Sequence, residues 1–148
     1  FFCCLKYFRK MIDIEAEFNA ALSRYEAGKD LIPLVDDFKK IIDQIPNHFA
    51  AWTCLSWLHL LLKNNNEALY AAKQAVKLNS QDLQARMNLS LALLATNTKG
   101  VRENIDLIKR IIIMAPDLEQ DLKLSVEDGL SRDPEWAELK KVKKWLDF

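Results

Sequence analysis

Apolar residues recur along this chain at three- and four-residue steps, the spacing of one helix face. Between residues 12 and 27 the stripe is Ile12, Phe18, Ala21, Leu22 and Tyr25; over 31–45 it is Leu34, Val35, Phe38, Ile41, Ile42 and Ile45. Gly28, in the Glu26–Asp30 stretch, is a helix stop. Pro46 closes the second helix, because proline disfavours helical geometry at the residue before it. Two further pairs are predicted, 48–62 with 66–78 and 82–96 with 101–114, parted by Asn64-Asn65-Asn66 and by Asn97-Thr98-Lys99-Gly100. Helices also fit 117–130 and 134–146, the last opened by Asp133 as cap and Pro134 in the first turn. No segment alternates as a strand does. The pattern predicts an all-α fold.

The helix pairs repeat. Phe18, Trp52 and Arg86 lie 34 residues apart, as do Ala21, Leu55 and Leu89, then Leu22, Ser56 and Ser90, then Tyr25, His59 and Leu93. In the second helices Leu34 aligns with Ala68, Phe38 with Ala72, Ile41 with Ala75 and Pro46 with Ser80. The next step, Ser80 to Pro116, is 36, an insertion that the Asn97–Gly100 turn absorbs most easily. Self-similarity at this period marks a solenoid of stacked units.

These positions resemble the tetratricopeptide repeat (TPR) family. The middle unit carries the resemblance best, through Ala51-Trp52, Leu55, Ser56, Glu67-Ala68, Ala75-Val76 and Leu78-Asn79. The first unit matches through Phe18, Tyr25, Phe38 and Pro46, the third through Leu89, Ser90, Ile111, Ile112 and Pro116. Leu22 stands where the family favours Gly, and Arg86 where an aromatic is usual. The resemblance implies a right-handed superhelical array of antiparallel helix pairs with C-terminal capping helices. One domain over 1–148 is expected, with an N-terminal extension and helix start at 1–14, repeats at 15–48, 49–82 and 83–118, and a helical cap at 119–148.

Composition narrows the chemistry. With 3 Gly, all scattered, no phosphate-cradling loop can be built. Lys plus Arg (21) balances Asp plus Glu (21), so no net field draws the protein to nucleic acid or an anionic membrane. Three cysteines, two adjacent, suit free thiols in a reducing, cytoplasmic setting. No apolar run is long enough to span a bilayer. The opening Phe1–Phe8 stretch is short, interrupted by Lys6, and lacks the marks of a signal peptide. Met11 would make a natural start, so residues 1–10 carry little weight in the fold.

His48, His59 and Cys54 have no convergent partners at ligand or nucleophile spacing, so the chain reads as a non-enzyme without metal or cofactor. His48 is read as a polar surface residue at a helix start, and His59 as a packed one. Lys140-Lys141-Val142-Lys143-Lys144 reads as the solvated face of a helix whose other side carries Trp136, Leu139, Val142 and Leu146.

In a TPR array the first helix of each pair lines the concave side, and the resemblance implies that partner segments bind there. Projected so, the groove receives Asn19, Ser23 and Glu26 from the first unit. The second gives Thr53, Trp57, Leu60 and Leu61, and the third Met87, Asn88, Leu91 and Leu94. Family members that clamp a chaperone's carboxylate tail use cations here, whereas the equivalent sites hold Asn19, Ser23, Cys54, Gln84 and Asn88. An apolar groove suits an amphipathic helix or other apolar segment of a partner protein. It is either open to that partner or covered by the chain's own ends. The expected function is an interaction adaptor or scaffold, such as an assembly factor. The alternative is a homo-oligomeric structural protein, joined through an apolar ridge of Phe1, Phe2, Leu5 and Phe8 or through the last helix, whose groove is filled by its own or another copy's terminal segment. A helical-repeat nucleic-acid binder fits the charge balance less well.

Overall fold

Helix starts and their caps recur in step. In the computed structural model, which describes residues 2–148, α1 runs Phe2–Glu26, α2 Leu31–Gln44, α3 Phe49–Leu61 and α4 Asn65–Leu78. Then come α5 (Leu83–Ala95), α6 (Val101–Met114), a 3-10 turn (Pro116–Leu118), α7 (Glu119–Arg132) and α8 (Ala137–Trp145). No strand occurs among the described residues. Asp30 caps α2 by accepting from the Ile32 N–H at 3.2 Å. His48 Nδ1 accepts from the Ala51 N–H at 3.1 Å, and Asp82 Oδ2 from the Ala85 N–H at 2.9 Å, so one cap serves at equivalent positions of α3 and α5. His48 is therefore the N-cap of α3. Each first-to-second helix turn passes through a left-handed residue: Gly28 at φ 73°, Lys63 at φ 61° and Asn97 at φ 52°.

The repeat also preserves a hydrogen bond across a change of chemistry. Trp52 Nε1 donates to the Pro46 carbonyl at 2.8 Å, and Arg86 Nε donates to the Ser80 carbonyl at 2.8 Å. Both tie a first helix to the loop preceding it. Arg86 also donates to Asn104 Oδ1 at 2.9 Å, so the guanidinium replaces an aromatic plug with a polar brace to α6.

Small side chains set the spacing of the stack. Ala68, Ala71, Ala72 and Ala75 on α4 are fully buried, as is Ser56 on α3. They let helix axes approach, while Phe18 and Phe38 fill the first pair edge to face at 5.7 Å. One apolar cluster joins α1, α2 and α3 through Ile14, Phe18, Leu34, Phe38, Ile41 and Leu58. A second joins α3, α5 and α6 to α7 and α8. Asn88, with no solvent exposure, bridges first helices by donating to the Thr53 carbonyl at 3.1 Å and to Ser56 Oγ at 2.8 Å.

Two expectations about the ends are corrected. α1 begins at Phe2, so residues 2–11 continue the helix rather than lying outside it. Asp133-Pro134 does not open the last helix: α8 begins at Ala137, after a turn in which Asp133 accepts from Lys63 Nζ at 2.7 Å and from the Glu135 N–H at 3.2 Å. Phe1 lies outside the described residues, as do the side chains of Phe2 and Cys3. No helix of the described residues is long and apolar enough to cross a membrane.

His59 is 4 % exposed, with its Nδ1 3.3 Å from Asn64 Nδ2. Burial lowers its pKa, Lys39 adds to the shift, and Glu67 opposes it. The ring thus stays neutral in the fold while the unfolded chain takes up a proton near pH ~6.5. The stability this contributes is complete above that value and is lost as pH falls toward the folded-state pKa. Thermal melts between about pH 8 and pH 5 should show a shallower acid-side decline in His59→Leu than in the parent chain. Equal slopes would remove His59 from the account.

Candidate functional site

The concave side is largely filled by the chain itself. α7 and α8 lie against α5 and the end of α3, where Leu122, Val126, Trp136, Leu139, Val142 and Leu146 are each at most 5 % exposed. Of the two alternatives, an open groove or one covered by the chain's own ends, the second describes this part of the concave side. Trp57, Leu60, Met87 and Leu91 belong to the same buried cluster, and Asn88 is a bridge between helices; of these five only Trp57 keeps an edge on a pocket. Leu61 and Leu94 are half-buried against that cluster. Asn19 and Ser23 are exposed on α1, and Thr53 is half-buried on α3.

Gly129 shows how closely the helices seat. A Cβ built there would come within 2.6 Å of Leu139 Cδ2 and 3.0 Å of Trp57 Cη2. Trp57 and Trp136 meet at 5.4 Å between ring centroids, and Lys63 Nζ stands 4.7 Å over the Trp136 ring.

What remains of the groove is a pocket of about 400 Å³ at its N-terminal end. Leu22, Tyr25 and Glu26 of α1 form one wall, and Leu124, Ser125 and Asp128 of α7 the other. Thr53, Cys54, Trp57 and Leu58 of α3 form the floor, with Phe38 and Gln84 at its edges. Leu22, in place of the family's small residue, thus becomes wall. Leu124 is 50 % exposed.

A polar knot holds the two walls at their spacing. Tyr25 Oη donates to Asp128 Oδ2 and accepts from Trp57 Nε1 at 2.8 Å. Arg132 donates to the Tyr25 carbonyl at 2.9 Å, contacts Asp128 at 3.2 Å, and lies 3.9 Å from the Tyr25 ring centroid. Burial, then the Asp128 hydrogen bond, pushes the Tyr25 hydroxyl well above the ordinary tyrosine range, so it stays a donor. Burial also pushes the Cys54 thiol up to about 12, which leaves it a packing group rather than a nucleophile at neutral pH.

The lining is apolar with carboxylates at the rim. Glu26 and Asp128 face the pocket, and no lysine or arginine lines it. No group of three or more His, Cys, Asp and Glu among the described residues gathers as a metal site. The sequence reading missed the α7 wall. The available signal was the α7 stripe itself, Leu122, Val126 and Gly129, an apolar face that the pairing of α1 to α6 leaves without a partner.

Two solved structures are similar to this chain in fold. The MamA RS-1 ArsTM double mutant gives a TM-score of 0.59 at 20 % identity, covering 91 % of this chain and 74 % of that one. The first TPR of Spaghetti (RPAP3), bound to the HSP90 peptide SRMEEVD, gives 0.53 at 17 % identity, covering 91 % of this chain and 94 % of that one. At such identities the likeness establishes the fold: a TPR-like solenoid of antiparallel helix pairs with C-terminal capping helices. No family model matches the sequence, and no curated protein matches it.

Proposed function

We propose that this chain is a protein–protein interaction adaptor that takes an apolar, helical segment of a partner protein in the pocket between α1, α3 and α7. The observation that carries the reading is the pocket itself: concave, mostly apolar at its floor, with carboxylates at its rim, and spaced by the Tyr25–Asp128–Arg132 knot. The peptide held by the Spaghetti TPR carries two glutamates and an aspartate. Here Glu26 would repel such a tail, Asp128 is already engaged by Arg132 and Tyr25, and no lining cation would offset the tail's desolvation. The partner segment is therefore apolar at its anchors and basic beside them. Service as a scaffold or assembly factor, in the cytoplasmic setting suggested by the cysteine count, belongs to the same proposal.

Selection from a displayed library of random peptides tests it. Enriched sequences should pair a large apolar residue with Lys or Arg within one helical turn. Leu124→Arg, placing a cation in the pocket, should lose them. Recovery of acidic C-terminal peptides, or of none, would overturn the reading.

A further inference from the structure

α1 is a continuous helix from Phe2 to Glu26, yet only its second half has a partner: Ile14, Phe18 and Ala21 pack toward α2 and α3. The first half carries Leu5, Phe8, Met11 and Ile12 along one broad face, with Tyr7 on its edge, and these are 47–70 % exposed. The opposite face holds Lys6, Arg9, Lys10 and Asp13. Its three cations enter none of the ion pairs formed by the described residues. The half-helix is thus a basic amphipathic helix with its apolar side in water, at odds with ordinary monomer surfaces.

The pocket has the reverse character. Its floor is apolar, its rim carries Glu26 and Asp128, and Glu15 lies two turns before Leu22 on the same side of α1. Lys6, Arg9 and Lys10 thus stand outside the ion pairs at one end of α1, and Glu26 stands outside them at the other, beside Asp128, which Arg132 already pairs, while Arg24 there pairs with Asp37.

We propose that the occupant of the pocket is the N-terminal half of α1 from a second copy of this chain. Phe8 and Ile12, one turn apart, enter as anchors, and Arg9 and Lys10 beside them meet the rim carboxylates. The inference rests on the pocket being a docking site and names its occupant. A copy cannot serve itself: Phe8 and Leu22 are on one unbroken helix, roughly 21 Å apart along its axis at 1.5 Å per residue. The contact is therefore heterologous, helix of one copy into pocket of the next, and it propagates into chains or closes into rings.

Sedimentation velocity on the full chain, from low micromolar to near-millimolar concentration, tests this. Association should continue past the dimer. Phe8→Asp and Leu124→Arg should each weaken it about tenfold or more, since buried anchors dominate such contacts. Glu26→Lys, at an exposed position, should also weaken it and guards against a folding defect in Leu124→Arg. The decisive sample mixes Phe8→Asp with Leu124→Arg. One retains an intact pocket and the other an intact helix, so the mixture should form a 1:1 dimer that grows no further. A strictly monomeric parent chain overturns the self-docking while leaving the peptide selection to judge the pocket. Association that ignores Leu124→Arg and Glu26→Lys overturns it too, because the extensions would then be pairing with each other. Failure of both the peptide selection and the association removes the pocket as a docking site altogether.

Discussion

A chain ending at Arg132 is expected to lose its cooperative thermal transition. The segment removed contributes Trp136, Leu139, Val142 and Leu146, all at most 5 % exposed, and the Asp133 carboxylate that pairs with Lys63. Each of the four side chains stabilises by about 1.5–3 kcal/mol on burial. Their sum rivals the ~5–15 kcal/mol net stability of an ordinary domain. The loss is doubled in kind, because Trp57, Met87 and Leu91 on the array side are uncovered by the same cut. By contrast, removing residues 1–10 should leave the melt almost unchanged, since the described side chains there are exposed. Circular dichroism on the two truncations is the measurement. If the chain ending at Arg132 melts within a few degrees of the parent, α8 is a detachable cap and the concave face is open in solution.

The repeat was legible in the sequence because each unit solves one packing problem with the same positions. Phe18, Trp52 and Arg86 stand in register, and even where the aromatic is replaced, the bond to the loop carbonyl persists in Trp52 and Arg86. The concave face was legible as a place but not as a state. Leu60, Met87 and Leu91 would show the same stripe whether they awaited a partner or were sealed by α7 and α8, since periodicity reports a buried face and not what buries it. Asp133-Pro134 misled for a related reason. The pair has the chemistry of a helix start, but Asp133 is engaged by Lys63 and the Glu135 N–H. The chain turns instead, so that Trp136 can reach Trp57 across Gly129. That is a tertiary demand, and no local propensity encodes it. The pocket's α7 wall was hidden likewise: Tyr25 and Asp128 are 103 residues apart, and only the folded array brings them together.

Trp57→Ala should cost about 3–5 kcal/mol, the range for removing a large aromatic from a core. The expectation reverses what an open groove implies, where the same truncation would be nearly silent. Trp57 is 8 % exposed, packs on Trp136, lies against Gly129, and donates to Tyr25 Oη. Its removal opens a cavity between α3 and α7 and strips Tyr25 of one partner in the knot that spaces the pocket walls. Trp57→Phe separates these contributions: most of the ring volume stays, and the lost hydrogen bond should account for roughly 1 kcal/mol. Ala75→Leu gives an internal scale, since Ala75 is fully buried between helices and a larger side chain there should cost about 1–3 kcal/mol by overpacking. Leu124→Arg sits at the other end of that scale, with a half-exposed side chain and little stability to lose. Urea titrations of the four variants order them. Trp57→Ala at or beyond Ala75→Leu, with Leu124→Arg near the parent, means that Trp57 is the keystone between array and cap while Leu124 carries little of the fold and can be varied to test docking. Trp57→Ala near the parent would instead return the whole concave stripe to solvent and with it the wider groove.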